Sequence, residues 1–482
     1  MKKADVGLIG LAVMGQNLVL NLADHGYSVA VFNRTTATSE SFVAGTLESQ
    51  DVRATRSLAE FVAAVERPRK LILLVKAGAV VDAVIDGLVP LLDPGDIIID
   101  GGNSLYTDTV RRFDDLGKQG VLFVGSGVSG GEEGARYGPS IMPGGAEEAW
   151  PEIREMFRAI SAKAGPASNE PCCDWIGSGG AGHYVKMIHN GIEYGDMQVL
   201  AEASAALAAL GQTPAQISKS LSEWNEGRLK SYLVEITSEI FLLLDDNDEP
   251  IVNAILDAAG QKGTGKWTVI SAMELGQPMM LVAEAVGARM ISSFVETRHR
   301  ASKVLEGPTG AAIENLTIRD VEDAVYASKL VSYAQGFMVL REASEANGWD
   351  LDLASVARLW RGGCIIRASF LDDISAAYGR DANLENLLFD PVFSTAISDA
   401  QAGLRRTVVA CAAAGIAIPA FASALSFYDG FRTERGSANV IQAQRDYFGA
   451  HTYERVDRPR GEWFHTDWAG IGGSATSGSY SA

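Results

Sequence analysis

Through the first third of the chain, short apolar runs bounded by glycine alternate with stretches of helical periodicity, and the spacing predicts a repeated strand, turn, helix and strand. Residues 5 to 9 form the first run and Gly10-Leu11-Ala12-Val13-Met14-Gly15 follows at once. A helical pattern then continues through His25, and Ser28 to Phe32 reads as a second strand. The rhythm returns with Leu71 to Val75, a helix from about Val80, and Ile97 to Asp100 leading into Gly101-Gly102-Asn103-Ser104. Val121 to Val124 reads as a further strand that runs into the glycine-rich segment GSGVSGGEEGARYGPSIMPGG. Such alternation predicts a parallel sheet, whose ligands bind in the loops beyond the carboxyl ends of its strands. Lys76, Asn103, Ser129, Gly130 and Gly131 thereby fall where a cofactor and a substrate would meet, while Gly144 and Gly145 read as turn glycines.

After about residue 180 strand-like runs nearly vanish, and alanine-rich helical patterns extend through residue 430. The transition passes through GSGGAGHYVKMIHNGIEYGDM, residues 177 to 197. Lys186, His189, Asn190 and Glu193 occupy relative positions 0, 3, 4 and 7 there, which fall on one face of a helix. Val185, Met187, Ile188 and Ile192 take the other faces, so an amine, an imidazole, an amide and a carboxylate lie among apolar side chains. The helical region also echoes itself. Leu200-Ala-Glu202-Ala-Ser204 recurs as Leu340-Arg-Glu342-Ala-Ser344, and Trp224 with Gly227 recurs as Trp360 with Gly363. Ser231, Leu233 and Ile236 recur as Ser369, Leu371 and Ile374, the offset moving only from 140 to 136 to 138. In the second copy Tyr326, Lys329, Leu330 and Tyr333 stand at the stripe positions, so the polar face belongs to one copy only.

Gly10 to Gly15 has the spacing of a G-x-G-x-x-G dinucleotide turn, in its strand–turn–helix context, with Ala12 in place of the second glycine. An NAD enzyme would place a carboxylate at the end of the second strand. Here Asn33-Arg34-Thr35 stands instead, and a guanidinium pairs with a 2′-phosphate that a carboxylate would repel, so NADP is the expected cofactor. These patterns together predict an α/β Rossmann-type N-terminal domain (1–178), a large all-α domain with an internal helical duplication (179–435) and a C-terminal tail (436–482).

Composition narrows the partners. Sixty acidic against 41 basic residues give a net charge of −19, which argues against nucleic acid, so an anionic ligand needs local basic clusters. One such cluster is Lys262-Gly263-Thr264-Gly265-Lys266, an anion hook without P-loop spacing. Cys172, Cys173, Cys364 and Cys411 have no metal-ligand spacing and fit a reducing cytoplasm, and no metal constellation is found. Lys2 and Lys3 before VGLIGLAVMG mimic a secretory leader, but Asp5 intervenes and Gln16 and Asn17 cut the apolar run short. No later run has the length of a membrane span, and the closing GIGGSATSGSYSA is a flexible composition that a partner would have to order.

GLAVMGQNL, NRT, DGGNS, VSGGEEGARYGPSIMPGG, GAGHYVKMIHNGIEYGDMQ, GQKGTGKWT and QAQRDYFGAHTYE together resemble the decarboxylating 6-phosphogluconate dehydrogenases of the pentose phosphate pathway, from Gly7 to the last residues. The resemblance implies NADP-dependent oxidation of 6-phosphogluconate to ribulose 5-phosphate and carbon dioxide. It implies Lys186 as general base and Glu193 as general acid. It implies Asn103, Ser129, Gly130, Gly131, His189, Asn190, Tyr194, Lys262 and Arg289 as substrate ligands. Arg445 and His451 would come from the tail of the neighbouring subunit of a homodimer. Gly10 to Gly15, Asn33, Arg34, Thr35, Val75, Lys76, Ala77 and Asn103 would hold the NADP. For Lys186 to begin neutral, burial or nearby cations must disfavour its charged form. Two other readings are another β-hydroxyacid dehydrogenase, such as one acting on 3-hydroxyisobutyrate, and a non-catalytic NADP-binding sensor.

Overall fold

A computed structural model describes residues 2–46, 50–165, 167–308, 312–313 and 315–470, so all but the first residue of GIGGSATSGSYSA lies outside the described residues. The chain forms two compact units, divided between Leu425 and Ser426. The first is built on an eight-stranded sheet: β1 (Val6–Ile9), β2 (Val29–Phe32), β3 (Val52–Ala54), β4 (Lys70–Leu73), β5 (Ile97–Asp100), β6 (Leu122–Ser129), β7 (Ser140–Gly145) and, after a two-stranded ribbon of β8 (Lys163–Ala164) and β9 (Glu170–Pro171), β10 (Gly177–Ser178). The order is β10-β7-β6-β5-β4-β1-β2-β3, parallel except between β6 and β7. Val6, Leu8, Val29, Val31, Ile97 and Ile99 enter one core, and Ile9, Ala30, Leu71, Leu73 and Ile98 another. Alternate residues pack on opposite faces, and both faces are buried. The central strands therefore read as unbroken apolar runs rather than alternating ones.

Helices α1 (Val13–Asp24), α2 (Thr36–Ala44), α3 (Leu58–Ala64), α4 (Ala79–Leu88), α5 (Tyr106–Gly117), α6 (Gly131–Tyr137) and α7 (Trp150–Ile160) accompany the strands. One expectation fails here. The segment read as a loop after Val124 continues β6 to Ser129, forms α6 and returns as β7, so Gly144 and Gly145 are strand residues, not turn residues. They are glycine because of close approach: a Cβ on Gly144 would lie 2.6 Å from Gly182 N, and one on Gly145 would strike Phe123 O.

The helical part runs α8 (Ala181–Ala209), α9 (Pro214–Asn225), α10 (Tyr232–Ile240), α11 (Ile251–Ala254), α12 (Thr264–Glu274), α13 (Met280–Ser292), α14 (Val295–Val304), α15 (Ile318–Asn347), α16 (Leu353–Leu359), α17 (Leu371–Arg380), α18 (Pro391–Ala414) and α19 (Pro419–Phe431), within which the first unit ends. The sequence echo maps α8, α9 and α10 onto α15, α16 and α17. The two copies meet where α10 and α17 begin: Tyr232 N donates to Arg367 O at 3.1 Å and Ser369 N to Lys230 O at 2.9 Å. The second unit holds α20 (Ala438–Gly449) and a ribbon of β11 (Tyr453–Glu454) and β12 (Trp463–Phe464). Buried Asp446 organises it, accepting hydrogen bonds from Thr452 N, Thr466 N and Trp468 Nε1 and lying 2.9 Å from His465 Nδ1.

Candidate active site

The site begins with a strand stripped of side chains. On β6, residues 125, 127 and 129 share one face, and the first two are glycine. A Cβ on Gly125 would lie 2.8 Å from the His183 ring, and one on Gly127 would overlap the stem of Lys186. Two side chains one turn apart on α8 thus lie flat on the strand, and Ser129, next on that face, receives the end of the lysine. Gly182 lets the first turn of α8 approach β6 and β7 in the same way, since a Cβ there would lie 2.5 Å from Met142 O.

Every residue from Ala181 to Ile192 is buried. Lys186 Nζ donates to Ser129 Oγ at 2.9 Å and lies 3.4 Å from His189 Nδ1. Ser129 Oγ is 3.2 Å from His189 Nε2, and His189 Nδ1 is 3.0 Å from Asn190 Oδ1. Burial pushes the Lys186 amine down to about 8, with Glu193 opposing the shift. Burial, then the Lys186 charge, holds the His189 imidazole well below its ordinary value, and hence neutral. Glu193 Oε2 lies 3.9 Å from His189 Nδ1 at the half-open end of the stripe. Its carboxyl is raised by burial, while Lys186, Arg289 and Lys262 pull the other way. The four stripe residues therefore form one hydrogen-bonded and electrostatic unit, with an amine that titrates near neutrality and a carboxyl that holds its proton unusually well.

Helices α12 and α13 close the far side. A Cβ on Gly191 would lie 2.8 Å from Thr268 Oγ1, and Thr268 itself donates to Met187 O at 2.8 Å. A Cβ on Gly265 would meet the Tyr194 ring at 2.5 Å, so the Gly-Thr-Gly of the anion hook is as much a packing device as a turn. Tyr194 is capped by the Arg289 guanidinium at 3.6 Å from the ring centroid, and Arg289 also donates to Gly260 O at 3.3 Å. Lys262 is exposed just before α12, and its charge reaches the carboxyl of Glu193. Gly130 and Gly131 have φ of +111° and +63°, which carries the chain from Ser129 into α6.

The glycine turn fits a dinucleotide. Gly10 has φ +104°, and a Cβ there would strike Leu74 O. Gly15 lies so close to Gly10 O that no side chain fits between helix and strand. Ala12, the departure from the motif, has φ −76° and needs no glycine, and its side chain does not cap α1, whose first N–H groups face the end where an anion would bind. Asn33 Oδ1 accepts from Leu11 N at 3.3 Å and so braces the turn, while Arg34 and Thr35 are exposed beside it. Lys76 and Asn103 are exposed in the loops after β4 and β5, flanked by Val75, Ala77 and Gly102. Arg445 lies on α20 of the second unit and donates to Gln442 Oε1, and His451 follows that helix.

Several residues of the site were not singled out from sequence. Trp360 meets His189 edge-on at 5.6 Å, yet in sequence it is only one mark of the internal echo. Asp100 is buried under the Asn103 loop, accepting from Gly102 N at 3.0 Å and Ser104 Oγ at 2.6 Å. An acidic residue closing an apolar strand was the available signal. Lys329 of the second copy is fully buried and ion-paired with Asp196 of the first, a partnership visible only once the helices are packed.

Two family profiles match the chain: "NAD binding domain of 6-phosphogluconate dehydrogenase" over residues 5–177 and "6-phosphogluconate dehydrogenase, C-terminal domain" over residues 182–468. The chain is 54% identical to a Rattus norvegicus protein named 6-phosphogluconate dehydrogenase, decarboxylating, across 100% of both chains. It is 53% identical to decarboxylating 1 of the same name from Saccharomyces cerevisiae, across 99% of this chain and 100% of that one. The Plasmodium falciparum 6-phosphogluconate dehydrogenase, solved in its apo form and in complex with NADP+ and with 6-phosphogluconate, superposes with a TM-score of 0.91 at 42% identity, over 96% of this chain and 100% of that one.

Proposed function

The chain belongs to the family of decarboxylating 6-phosphogluconate dehydrogenases, and we propose that it oxidises 6-phosphogluconate with NADP to give ribulose 5-phosphate and carbon dioxide. The observation that carries the reading in this molecule is Lys186, an amine buried against Ser129 and moved to about 8. Gly10 to Gly15, Asn33, Arg34, Thr35, Val75, Lys76, Ala77 and Asn103 would hold the NADP, which supplies the hydride acceptor when bound. As hydride leaves C3, neutral Lys186 accepts the C3 hydroxyl proton. The β-keto acid so formed loses its carboxylate as carbon dioxide, because the adjacent ketone takes up the electrons of the breaking bond. Lys186, now an ammonium, donates to that oxygen as charge develops on it. Glu193, whose carboxyl is raised by burial, delivers a proton to the carbon that lost the carboxylate, C1 of the product, while Lys186 takes back the proton it gave to the neighbouring oxygen, which leaves the ketone of ribulose 5-phosphate.

Asn103, Ser129, Gly130, Gly131, His189, Asn190 and Tyr194 would hold the sugar acid, with Lys262 and Arg289 gathering its anionic groups. A homodimer would complete each site with Arg445 of the partner subunit and His451 of the partner subunit. Four buried free cysteines fit a reducing cytoplasm, and among the described residues no helix is long and apolar enough to cross a membrane.

A spectrophotometric assay of NADPH formation tests the reaction. Turnover of 6-phosphogluconate with NADP, coupled to carbon dioxide release, is expected, and better turnover of 3-hydroxyisobutyrate, or preference for NAD, would overturn it. Mixing Lys186→Met and Arg445→Ala subunits tests the shared site. Mixed dimers should regain one working site each, whereas a mixture as inactive as its parents removes the tail from the neighbour's chemistry.

A further inference from the structure

The loop after β4 carries Val75, Lys76 and Ala77, and the loop after β5 carries Asn103; they belong to different strand–helix units. Their closeness is plain at Gly102, where a Cβ would stand 3.3 Å from Val75 O. A single buried cation, Arg112 on α5, reaches both. Its side chain is 2% exposed, Nη2 donates to Gly78 O at 3.1 Å at the end of the first loop, and Nε donates to Asp82 on α4 at 2.8 Å. Its Nη1 lies 3.5 Å from Asp100, whose two carboxylate oxygens accept Gly102 N and Ser104 Oγ on either side of Asn103. The guanidinium therefore joins the frame of one loop to the frame of the other, in the planar, multidentate manner that lysine cannot reproduce.

Resting on the proposed roles of Val75, Lys76, Ala77 and Asn103, we infer that Arg112 is a positioning residue that sets the Asn103 loop against the Lys76 loop and so fixes the geometry in which cofactor and sugar acid meet. It touches neither ligand. Its effect passes through Asp100 and Gly78, and a displacement of about 1 Å at a reacting centre costs on the order of 100-fold in rate.

The test is a double-mutant cycle on the full-length enzyme with Arg112→Met, Asn103→Ala and both together, and with Arg112→Lys as the conservative variant. NADP+ binding by calorimetry and melting temperature are followed besides kcat/KM. Arg112→Met should weaken NADP+ binding about tenfold and lower kcat/KM about 10- to 100-fold at temperatures well below its melting point. The double variant should be no worse than the weaker single, and Arg112→Lys should recover part of the loss. If Arg112→Met fails to fold, Ser104→Ala, which removes only the loop end of the network, should show the same pattern more weakly. Additive losses, a lower melting temperature with normal binding and kcat/KM, or an Asn103→Ala enzyme that behaves as wild type would each overturn the inference. Failure of the wild type to turn over 6-phosphogluconate would instead overturn the proposed reaction, leaving the calorimetric cycle to judge Arg112.

Discussion

Helices α8 and α15 are the two copies of one unit, and each buries a lysine in its N-terminal half, but they treat it in opposite ways. Each lysine lies in a stretch that is buried throughout, Ala181–Ile192 in one helix and Ala327–Phe337 in the other. Lys329 faces a carboxylate: it is ion-paired with Asp196, whose Oδ2 also accepts from Tyr333 Oη at 3.3 Å. Lys186 faces a hydroxyl and a neutral imidazole, and with no counter-charge in hydrogen-bond reach among the described residues burial moves it to about 8. Paired, a buried amine is a structural cation; unpaired, it is a base. Two buried acids of α15 are also ion-paired, Asp320 with Arg406 and Asp323 with Arg228, whereas Glu193 on α8 keeps a half-open face.

The largest effect that would test this contrast is at Lys186. In Lys186→Met, kcat should fall on the order of 10²- to 10⁴-fold, while substrate binding changes far less. The sign for stability is the reverse of an ordinary loss. The folded amine sits near 8 against 10.5 unfolded, so the folded state binds fewer protons between those values and the wild type loses stability as pH falls toward 8. The variant should therefore melt no lower than wild type at neutral pH. In the wild type, kcat/KM should decline about tenfold per pH unit below about 8, as protonation removes the base. A flat profile between pH 6 and 8, a window taken around that value, would mean that another group accepts the proton.

Lys329→Met should do the converse, leaving Asp196 buried without a counter-charge. Breaking such a pair costs about 3–5 kcal/mol, with the loss growing as pH rises and Asp196 is forced to ionise. Lys329→Met with Asp196→Leu should recover most of it, since an apolar pair replaces an ionic one. The comparison breaks if Lys329→Met melts normally but loses activity as severely as Lys186→Met, for then the second lysine belongs to the chemistry.

Much of this was legible in the chain before packing was known. The stripe Lys186, His189, Asn190 and Glu193 was visible because helical periodicity alone places those side chains together, and the strands β1, β2, β4 and β5 because unbroken apolar runs have few other uses. The hairpin of β6 and β7 was not legible, since its glycines serve contacts with Lys186, His183 and Gly182 that are 38 to 59 residues away in sequence and mimic turns locally. The second copy looked inert for a related reason. Lys329 matches His189 in register, but its meaning lies in Asp196, 133 residues away. Local pattern announces what one element carries, whereas it is silent on what another element brings to it.

A smaller effect sharpens the same contrast at Glu202 and Glu342, which occupy equivalent positions of the repeated Leu-x-Glu-Ala-Ser. Glu342 is half-buried and accepts from Gln277 Nε2 at 3.3 Å. Glu202 is buried and receives Ala420 N at 2.8 Å and Phe421 N at 2.9 Å, the first open N–H groups of α19. Burial dominates, and although both N–H groups and Gln198 oppose it, the carboxyl is raised to about 7. A carboxyl raised above its unfolded value of 4.5 binds more protons in the folded state between 4.5 and about 7, so stability falls as pH rises through that window and the deficit persists above it. Glu202→Gln keeps a hydrogen-bonding group at the helix end but cannot titrate. It should flatten the pH dependence of unfolding between pH 5 and 8, a span chosen to bracket that titration, by on the order of 2 kcal/mol. Glu342→Gln should leave that dependence as it is in the wild type. Denaturant unfolding of both variants across this window decides it, and equal effects at the two positions would mean that burial against α19 is not what separates them.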